Sequence, residues 1–333
     1  MSITIKDIAK VVGVSTATVS RVLNRQGGYS KEVEEKVKEV AKNLNYRRND
    51  NAASLVTQTT KIIGIIMPVV DSSFYSNIVT GIEDYAVSKG YSVILSHAGI
   101  EGEKFLDCFN VMIDRRVDGI IAFSLTLKED DIRSIKNSNI PFLLISSISS
   151  DKSIPFLKID DYSAAYFATQ YLINKGHKKI SIMGMNRNDI IAGEPRIQGY
   201  KDCLKDNGIE VDDSLLITGE FNFTSGQLGM RKIIDDKIDI TAIFCVSDEV
   251  AAGAMSICYE NNISIPDEIS VIGFDNSNIS WMIKPGITTI AQPFYEMGKN
   301  GCKKLITSLS MGEKIESEIV PFELIERESV KLL

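Results

Sequence analysis

From residue 61 onward the chain alternates apolar, strand-like runs with amphipathic helical segments, and this alternation restricts the fold more than any other feature of the sequence. Such alternation is typical of a mostly parallel sheet with helices on its faces. The pattern occurs as two series, so we predict an α/β core of two doubly wound lobes. The predicted strands are 62–68, 91–98, 117–124, 140–147 and 154–160, then 177–185, 214–221, 240–247 and 270–276.

Ligands of doubly wound sheets bind outside the carboxyl ends of the strands, so the cleft between two facing lobes is the expected site. A nucleotide enzyme is the competing class for such a core. No G-x-G-x-x-G motif follows the strand at 62–68, no G-x-x-x-x-G-K-[ST] motif occurs, and no Ser, His and acidic set stands out at strand ends. We therefore expect a binding protein that is not an enzyme and needs no cofactor.

The first residues of the chain predict two short helices joined by a glycine turn. Thr4 begins the first helix, with Asp7 positioned to reach back to its cap, and Gly13 permits the turn. A second helix follows from about Ser15, and a third begins near Ser30. The second helix turns Val19, Val22 and Leu23 inward and leaves Ala17, Ser20, Arg21 and Asn24 on its outer face. These slim, polar and basic side chains suit insertion into a major groove.

Charge is divided unevenly along the chain. The net charge is −7, but residues 1–49 carry ten Lys and Arg against five Asp and Glu, or +5, while the remainder carries 27 against 39, or −12. Cations near phosphates release counterions, whereas a distant acidic body does not. The uneven charge favours DNA binding by the front segment.

Cysteine usage and the first residues bear on metal binding and location. The five cysteines are odd in number and widely spaced, and only two histidines are present, so we expect buried free thiols and no metal site. The chain starts without the apolar core of a signal peptide, and no run approaches the roughly 18 apolar residues of a membrane helix. A cytoplasmic protein is expected. A periplasmic-type solute-binding protein would share the two lobes, but it would need an export signal and would lack the basic front segment.

Several motifs occur in the order found in one family of regulators. They are Ile5-Lys-Asp-Ile-Ala9, Val12-Gly-Val-Ser15, Thr18-Val-Ser-Arg-Val-Leu-Asn24, Gly81-Ile-Glu83, Val117-Asp-Gly-Ile-Ile121, Gly176-His177-Lys178, Arg196 with Gly199-Tyr200, and Gly273-Phe-Asp275. On these motifs the chain resembles the LacI/GalR (lac and gal repressor) family of bacterial transcription regulators. The resemblance implies a homodimer that binds a near-palindromic DNA operator under allosteric control by a small molecule, with a sugar as the expected class.

The resemblance also implies the domain boundaries. The helix-turn-helix headpiece of three helices takes residues 1–46, and a hinge segment takes 47–60. A two-lobed core like that of periplasmic binding proteins takes 61–333. Its first lobe is 61–160 with 289–322, and its second lobe is 161–288 with 323–333.

The family pattern assigns DNA contacts to the second helix and the hinge. Thr16, Ala17 and Arg21 match positions that face base edges, and Arg21 suits a guanine, with a phosphate contact or an ion pair as its alternative. The remaining matches on the helix are phosphate anchors or caps: Ser15, Thr18, Ser20 and Asn24. In the hinge, Asn49, Ala52 and Leu55 fit the pattern, with Leu55 as a minor-groove wedge, although Arg48 replaces the usual proline and Ala53 a common arginine. A plain linker is the alternative there.

For the effector, the matching positions are Ser73, Phe74, Ala192, Arg196, Phe221, Asp248 and Asp275, and Trp281 is placed to close over a ligand. Aromatic faces with charged hydrogen-bonding groups suggest a sugar pocket, with a nucleoside or purine as the alternative. Other roles remain open: Phe74 and Phe221 as core aromatics, Asp248 as a helix N-cap, Arg196 as a surface residue, and Trp281 as a lobe-packing residue. A catabolite-control-type regulator is a further alternative, in which Lys303 and Lys304 on a predicted helix at 295–310 bind a serine-phosphorylated phosphocarrier protein.

Overall fold

A computed structural model describes residues 3–24, 26–46, 59–68 and 73–333, apart from the side chains of residues 73 and 74. The chain forms two compact units, Met1–Thr60 and Lys61–Leu333. The hinge positions assigned above, Asn49 and Leu55, lie outside the described residues, as do their neighbours from 47 to 58.

The first unit contains three helices around a small core. These helices are α1 (Ile5–Val12), α2 (Thr16–Leu23) and α3 (Lys31–Asn43). Ile8, Val19 and Val37 are fully buried at their junction, as the predicted apolar faces require. Gly13 ends α1 with φ 79°, a left-handed conformation that a side chain would disfavour.

The helix starts show how the sequence fixes this unit. The Asp7 carboxylate accepts hydrogen bonds from the Thr4 backbone N–H at 2.8 Å and from the Thr4 hydroxyl at 2.7 Å. The predicted contact of Asp7 with the Thr4 cap is confirmed. The Thr4 hydroxyl, however, acts as the donor to the Asp7 carboxylate. Ser15 caps α2 by accepting from the N–H of Thr18 at 3.1 Å, and Ser30 caps α3 in the same way.

The first lobe of the second unit is a six-stranded parallel sheet covered by helices. Its strands are β1 (Ile62–Met67), β2 (Ser92–His97), β3 (Gly119–Phe123), β4 (Phe142–Ile145), β5 (Phe156–Ile159) and β11 (Glu318–Val320), in the order β11-β5-β4-β3-β1-β2. Its helices are α4 (Ser73–Ser88), α5 (Phe105–Asp114), α6 (Glu129–Ser138) and α12 (Phe294–Met311).

Helices α4 and α12 pack with their backbones in close contact. A Cβ atom added at Gly81 would lie 2.1 Å from the carbonyl oxygen of Tyr295, and one added at Gly298 would lie 2.1 Å from that of Ile78. Only glycine fits at these two positions, so the sequence fixes the place where the helices cross.

The second lobe repeats the arrangement. Its strands are β6 (Ile180–Met185), β7 (Leu216–Thr218), β8 (Ala242–Cys245), β9 (Ser270–Asp275), β10 (Thr288–Ala291) and β12 (Glu323–Ile325), in the order β12-β10-β9-β8-β6-β7, with only β12 antiparallel to its neighbour. Its helices are α7 (Asp161–Asn174), α8 (Gly193–Asp206), α9 (Phe223–Asp235), α10 (Asp248–Glu260) and α11 (Ile279–Met282).

The chain passes between the lobes at three places: after β5, after β10, and between β11 and β12. Strand β10 pairs with β9, so it belongs to the second sheet, whereas the boundary expected at residue 289 would have placed most of it in the first lobe. The chain passes back to the first lobe only after Ala291, because Ala291 still pairs with Asp275 in the second sheet. The described helices include none that is long and apolar enough to cross a membrane.

Candidate DNA interface and ligand cavity

Helix α2 presents the side chains expected to meet DNA on the face opposite its core contacts. Ser15, Thr16, Ala17, Arg21 and Asn24 are exposed. Thr18 and Ser20 are half-buried on the same helix, whereas Val19 and Val22 are buried against the other helices. The predicted division of α2 into an inner and an outer face is therefore present.

Hydrogen bonds separate these residues into two groups. Ser15 is the cap, and its hydroxyl lies 2.9 Å from that of Thr18, while Asn24 donates from its side-chain amide to the Ser20 hydroxyl at 3.2 Å. Within the described residues, Arg21 has no ion pair, and its guanidinium lies close to Gly28. The side chains of Thr16, Ala17 and Arg21 thus extend from a helix whose other polar side chains already have local partners.

A cavity of about 540 Å³ lies between the two lobes of the core, at the carboxyl ends of strands from both sheets. Parallel sheets place ligands at these ends, as expected from the sequence. Its lining is a mixture of charged, polar and apolar side chains: Tyr75, Ile100, Glu101, Ser124, Thr126, Lys128, Ser146, Lys158, Asp161, Asn186, Asn188, Asp189, Ile191, Ala192, Arg196, Glu220, Phe221, Ser247, Glu249, Asp275, Ser277, Gln292 and Phe294.

Four lining residues adopt a backbone conformation that side chains usually avoid. Ser124 follows β3 with φ 53°, Ser146 follows β4 with φ 49°, and Phe221 lies beyond β7 with φ 58°. Asp275 ends β9 with φ 104°. Non-glycine residues with positive φ cost free energy and cluster where a ligand is held, so these strand ends make the cavity a candidate binding site.

Arg196, predicted as an effector contact with a surface role as its alternative, is buried in the cavity wall and only 5% exposed. Its Nε and Nη2 atoms donate to the Asp161 carboxylate at 2.8 and 2.7 Å, and Nη1 donates to the carbonyl of Val246 at 2.6 Å. The guanidinium also lies 3.7 Å from the ring centroid of Phe274. Stacking and three hydrogen bonds hold it in one orientation, which rules out the surface alternative.

Phe221 and Ala192 also line the cavity, as predicted. The Phe221 ring is half-buried, with its centroid 5.9 Å from the Arg196 guanidinium, so part of the ring is available to a ligand. Ala192 immediately precedes α8, the helix that carries Arg196. Ser73 begins α4 and Phe74 follows it, but their side chains lie outside the described part of the chain.

Asp275 is the fourth predicted contact that the cavity contains. Its carboxylate accepts a hydrogen bond from the Gln292 side-chain amide at 2.8 Å. Burial raises the pKa of Asp275 to about 6, while the positive charge of Arg196 and the Gln292 bond oppose that rise. The carboxylate is thus an acceptor whose charge changes near neutral pH.

Asp248 does not reach the cavity, contrary to the expectation from the family pattern. It is fully buried beneath the lining and accepts hydrogen bonds from the Ser277 N–H at 2.6 Å, the Ser277 hydroxyl at 3.0 Å and the Thr289 hydroxyl at 2.6 Å. The alternative N-cap role is also wrong, because Ser247 caps α10 by accepting from the N–H of Val250 at 3.1 Å. Adjacent residues at the start of α10 face different sides: Ser247 faces the cavity and Asp248 faces the core. Ser247 therefore lines the cavity in place of Asp248.

Burial dominates the ionisation of Asp248. It raises the pKa of Asp248 to about 8, and the nearby charge of Asp275 acts in the same direction, against the three hydrogen bonds that favour the carboxylate. Through these hydrogen bonds Asp248 connects α10 to two other segments, namely β10 and the loop that follows β9. It therefore stabilises the layer beneath the cavity lining.

Trp281 lies on the short helix α11 with 53% of its surface exposed, and it is not among the lining residues. The helix directs its ring to solvent, so neither closure over a ligand nor packing between the lobes describes its position. On α12, Lys303 is exposed, and Lys304 pairs with Glu318 at 2.9 Å.

Sequence reasoning missed several lining residues. Lys158 lies on β5, and its Nζ atom contacts the Asp161 carboxylate at 2.7 Å and the carbonyl oxygen of Ile191 at 3.0 Å. Gln292 and Glu249 also line the cavity. A charged Lys158 within an otherwise apolar strand run was the available signal. Across the described residues, no group of three or more His, Cys, Asp and Glu side chains is arranged to hold a metal ion.

An exposed helix in a helix-turn-helix unit, together with a cavity between two doubly wound lobes, defines a DNA-binding transcriptional regulator with a ligand-binding core. Residues 4–49 match the family model described as bacterial regulatory proteins, lacI family. Residues 60–328 match the model described as periplasmic binding proteins and sugar binding domain of LacI family. The chain belongs to the LacI family. Its headpiece distinguishes it from solute-binding proteins that have the core alone.

Three similar proteins are transcriptional regulators that match this chain over nearly their whole length. Catabolite control protein A of Priestia megaterium is 34% identical over 333 residues, which cover 99% of this chain and 100% of that protein. The transcriptional regulator RegA of Clostridium acetobutylicum is 38% identical over 336 residues, with 99% and 100% covered. The transcriptional repressor PurR of Vibrio atlanticus is 35% identical over 338 residues, with 99% of each chain covered.

Similar solved structures include complexes with DNA and with sugars. The lac repressor dimer bound to operator and an anti-inducer has a TM-score of 0.88 at 25% identity, covering 99% of this chain and 100% of that one. A complex of the regulator CelR with cellobiose has a TM-score of 0.75 at 26% identity, with 98% and 99% covered. A LacI family regulator from Enterococcus faecium with bound ribose has a TM-score of 0.74 at 29% identity, with 82% and 99% covered.

Proposed function

We propose that this protein is a cytoplasmic, homodimeric repressor whose affinity for a pseudo-palindromic operator is controlled by a small sugar in the interlobe cavity. The cavity carries the proposal: it is large enough for a sugar, and it combines polar strand ends with the ring of Phe221. Aromatic faces stack on the apolar face of a sugar ring, while fixed hydrogen-bonding groups orient its hydroxyls. The complexes of similar regulators with cellobiose and ribose support the same ligand class.

In this proposal α2 enters the major groove. Thr16, Ala17 and Arg21 read base edges, because their side chains are exposed and, among the described residues, are not used in local hydrogen bonds as those of their neighbours are. Ser15, Thr18, Ser20 and Asn24 hold the helix ends and contact phosphates. Two headpieces, one from each protomer, then meet two half-sites of the operator.

The hinge segment is proposed to couple ligand binding in the cavity to operator binding by the headpieces. A ligand that prefers one orientation of the lobes changes the separation of the two hinge segments in the dimer, and thereby permits or forbids their folding on DNA. A coupling of about 1–3 kcal/mol would change operator affinity by roughly 5–150-fold. Asn49 lies in this segment, and Leu55 is the proposed minor-groove wedge.

The wedge is tested by Leu55→Ala. We expect specific operator binding to weaken more than binding to unrelated DNA, because only the specific complex contains the kinked base step. Equal losses on both DNAs, measured by fluorescence anisotropy, would identify the segment as a plain linker.

The effector class is tested by calorimetry on the full-length protein with sugars, sugar phosphates, nucleosides and purine bases. The expected outcome is binding of a sugar that shifts operator affinity in a parallel DNA-binding assay. A purine or nucleoside is the second candidate, favoured by the 35% identity to PurR of Vibrio atlanticus. Binding of a purine base without binding of any sugar would replace the first candidate by the second.

A protein co-effector is the remaining candidate, favoured by the similarity to catabolite control protein A. Lys303 and Lys304 would supply charges to a serine-phosphorylated phosphocarrier protein. Lys303 is exposed, whereas Lys304 would have to leave Glu318. Lys303→Glu abolishes phosphocarrier-dependent operator binding in this case, and an unchanged response would eliminate the surface.

A further inference from the structure

The charges in the cavity wall restrict the ligand beyond its general class. Three cations line the cavity: Lys128, Lys158 and Arg196. Six carboxylates face them: Glu101, Asp161, Asp189, Glu220, Glu249 and Asp275. The formal balance of three positive against six negative charges leaves a net charge of −3 when all groups are ionised.

The two buried cations share a single carboxylate. Lys158 is 2.7 Å from one oxygen of Asp161, and the Arg196 Nη2 atom is 2.7 Å from the other. Both side chains also donate to backbone carbonyls, Lys158 to Ile191 and Arg196 to Val246. An anionic ligand would therefore have to displace Asp161 before either cation became available, and it would leave that buried carboxylate without its partners.

The third cation, Lys128, does not provide an alternative site for an anionic ligand. Lys128 directly precedes α6 and is exposed, so water and salt screen its charge. Half-buried Asp275 lies deeper in the wall, beside the negative charges of Asp161 and Glu249, which raise its pKa further after burial. A phosphate or carboxylate placed among these groups meets like charges in a region of low dielectric.

Uncharged groups provide the remaining polar surface. Ser146 lines the cavity from a strained strand end, and its hydroxyl oxygen is buried with no hydrogen-bond partner among the described residues. Ser124 lies at the end of the adjacent strand β3, and Asn186 follows β6 in the second lobe. A buried hydroxyl without a partner is costly, and a ligand hydroxyl would satisfy it.

We infer that the cavity selects a polyol that carries no anionic group, either a neutral sugar or an amine-bearing sugar, and that it rejects phosphorylated and carboxylated sugars. This inference rests on the proposed function, whose effector is a sugar. The carboxylates accept hydrogen bonds from hydroxyls or an ammonium group, and the Lys158–Asp161–Arg196 cluster acts as a closed, charge-paired wall.

The test uses full-length protein and matched sets of one sugar in its neutral, amino, 6-phosphate and uronic acid forms. In calorimetry, we expect a neutral or amino form to bind at least about tenfold more tightly than its phosphate or acid form, because like-charge juxtaposition is penalised. Tighter binding of an anionic form, or the absence of binding by every neutral and amino form, overturns the inference.

A parallel operator assay separates this inference from the proposed function. If an anionic sugar binds and shifts operator affinity, the inference is wrong and the regulatory function stands. If a neutral sugar binds tightly without shifting operator affinity, the selectivity stands and the regulatory function is wrong.

The charge-paired wall is tested by Asp161→Asn, which frees Lys158 and Arg196 to receive an anion. We expect affinity for inorganic phosphate to rise at least about tenfold, while Asp202→Asn, an equal charge change outside the cavity on α8, leaves it unchanged. Because Asp161→Asn leaves two buried cations unpaired, thermal unfolding of this variant is measured alongside.

Glu220→Gln provides a second variant that keeps the buried cluster intact. Glu220 is an exposed lining residue and accepts from Asn186, a bond that glutamine retains. A smaller gain in phosphate affinity is expected. No gain in either folded variant overturns the charge explanation.

Discussion

At the scale of single residues, Asp248 shows how a buried charge supports a binding site without touching the ligand. It links the loop after β9 to β10 through Ser277 and Thr289, and Gly273 must remain without a side chain because an added Cβ would lie 2.4 Å from the Asp248 carboxylate. Protonated Asp248 keeps two of these bonds as acceptor and donates to the Thr289 hydroxyl. Asparagine has the same pattern and therefore mimics the protonated form.

We expect Asp248→Asn to change the pH dependence of stability. In the folded chain the pKa of Asp248 is raised to about 8, so the folded state holds a proton that the unfolded state releases above its ordinary pKa. Its contribution to stability is complete below about pH 4 and is lost as pH rises through about 8. Relative to the variant, wild type should lose on the order of 2 kcal/mol between about pH 6 and 8. Parallel urea-unfolding curves at all pH values would contradict this expectation.

Arg21→Ala tests the assignment of a base contact to α2. The guanidinium is exposed and has no ion pair among the described residues, so removing it should leave thermal unfolding and effector affinity unchanged. Specific operator affinity should fall by about 1–3 kcal/mol, and discrimination at one base pair should relax. Arg21→Lys is the matched control, since it keeps the charge but not the bidentate geometry. Equal operator affinity for both variants and wild type would remove the direct base role.

At the scale of elements, periodicity predicted the long strands and the helices of the first unit, because each buries a regular apolar pattern. Strands β10, β11 and β12 were not predicted, since their pairing depends on tertiary context: β11 pairs with the distant β5, and β12 pairs with β10. The exchange of Asp248 for Ser247 has a related cause: a family pattern places a loop, but only the capping geometry determines which of two adjacent side chains enters the cavity. Lys158 was missed because, although Asp161 is near it in sequence, Ile191 and Arg196, which complete this part of the wall, are distant.

The crossing of α4 and α12 should be sensitive to a single methyl group. Gly81→Ala would place a Cβ 2.1 Å from the Tyr295 carbonyl oxygen, so the helices must separate. We expect a loss of about 1–3 kcal/mol or more in the free energy of unfolding. Thr80→Ala, at the exposed neighbouring position, should change stability by no more than about 0.5 kcal/mol. If the two variants have the same denaturation midpoint, the helices are not in close contact.

At the scale of the whole molecule, the uneven division of charge makes operator binding and ligand binding depend differently on salt. The basic front segment should make operator affinity fall steeply with salt, by roughly 10³–10⁵-fold between about 50 and 200 mM for about six to ten phosphate contacts. Binding of a neutral sugar releases no counterions, so its affinity should be nearly independent of salt. Measuring both titrations over one salt series checks this contrast, and parallel slopes would contradict it.

The three passages of the chain between the lobes have a consequence for the protein as a polymer. A single proteolytic nick after β5 leaves the passages after β10 and between β11 and β12 intact, and the two fragments stay together through the pairing of β5 with β11 and the packing of α4 on α12. Such a nicked chain should separate into two fragments on a denaturing gel and migrate as one species on a native gel. No single breakpoint in the gene divides the core into its two lobes, because each lobe is assembled from segments that the sequence keeps far apart.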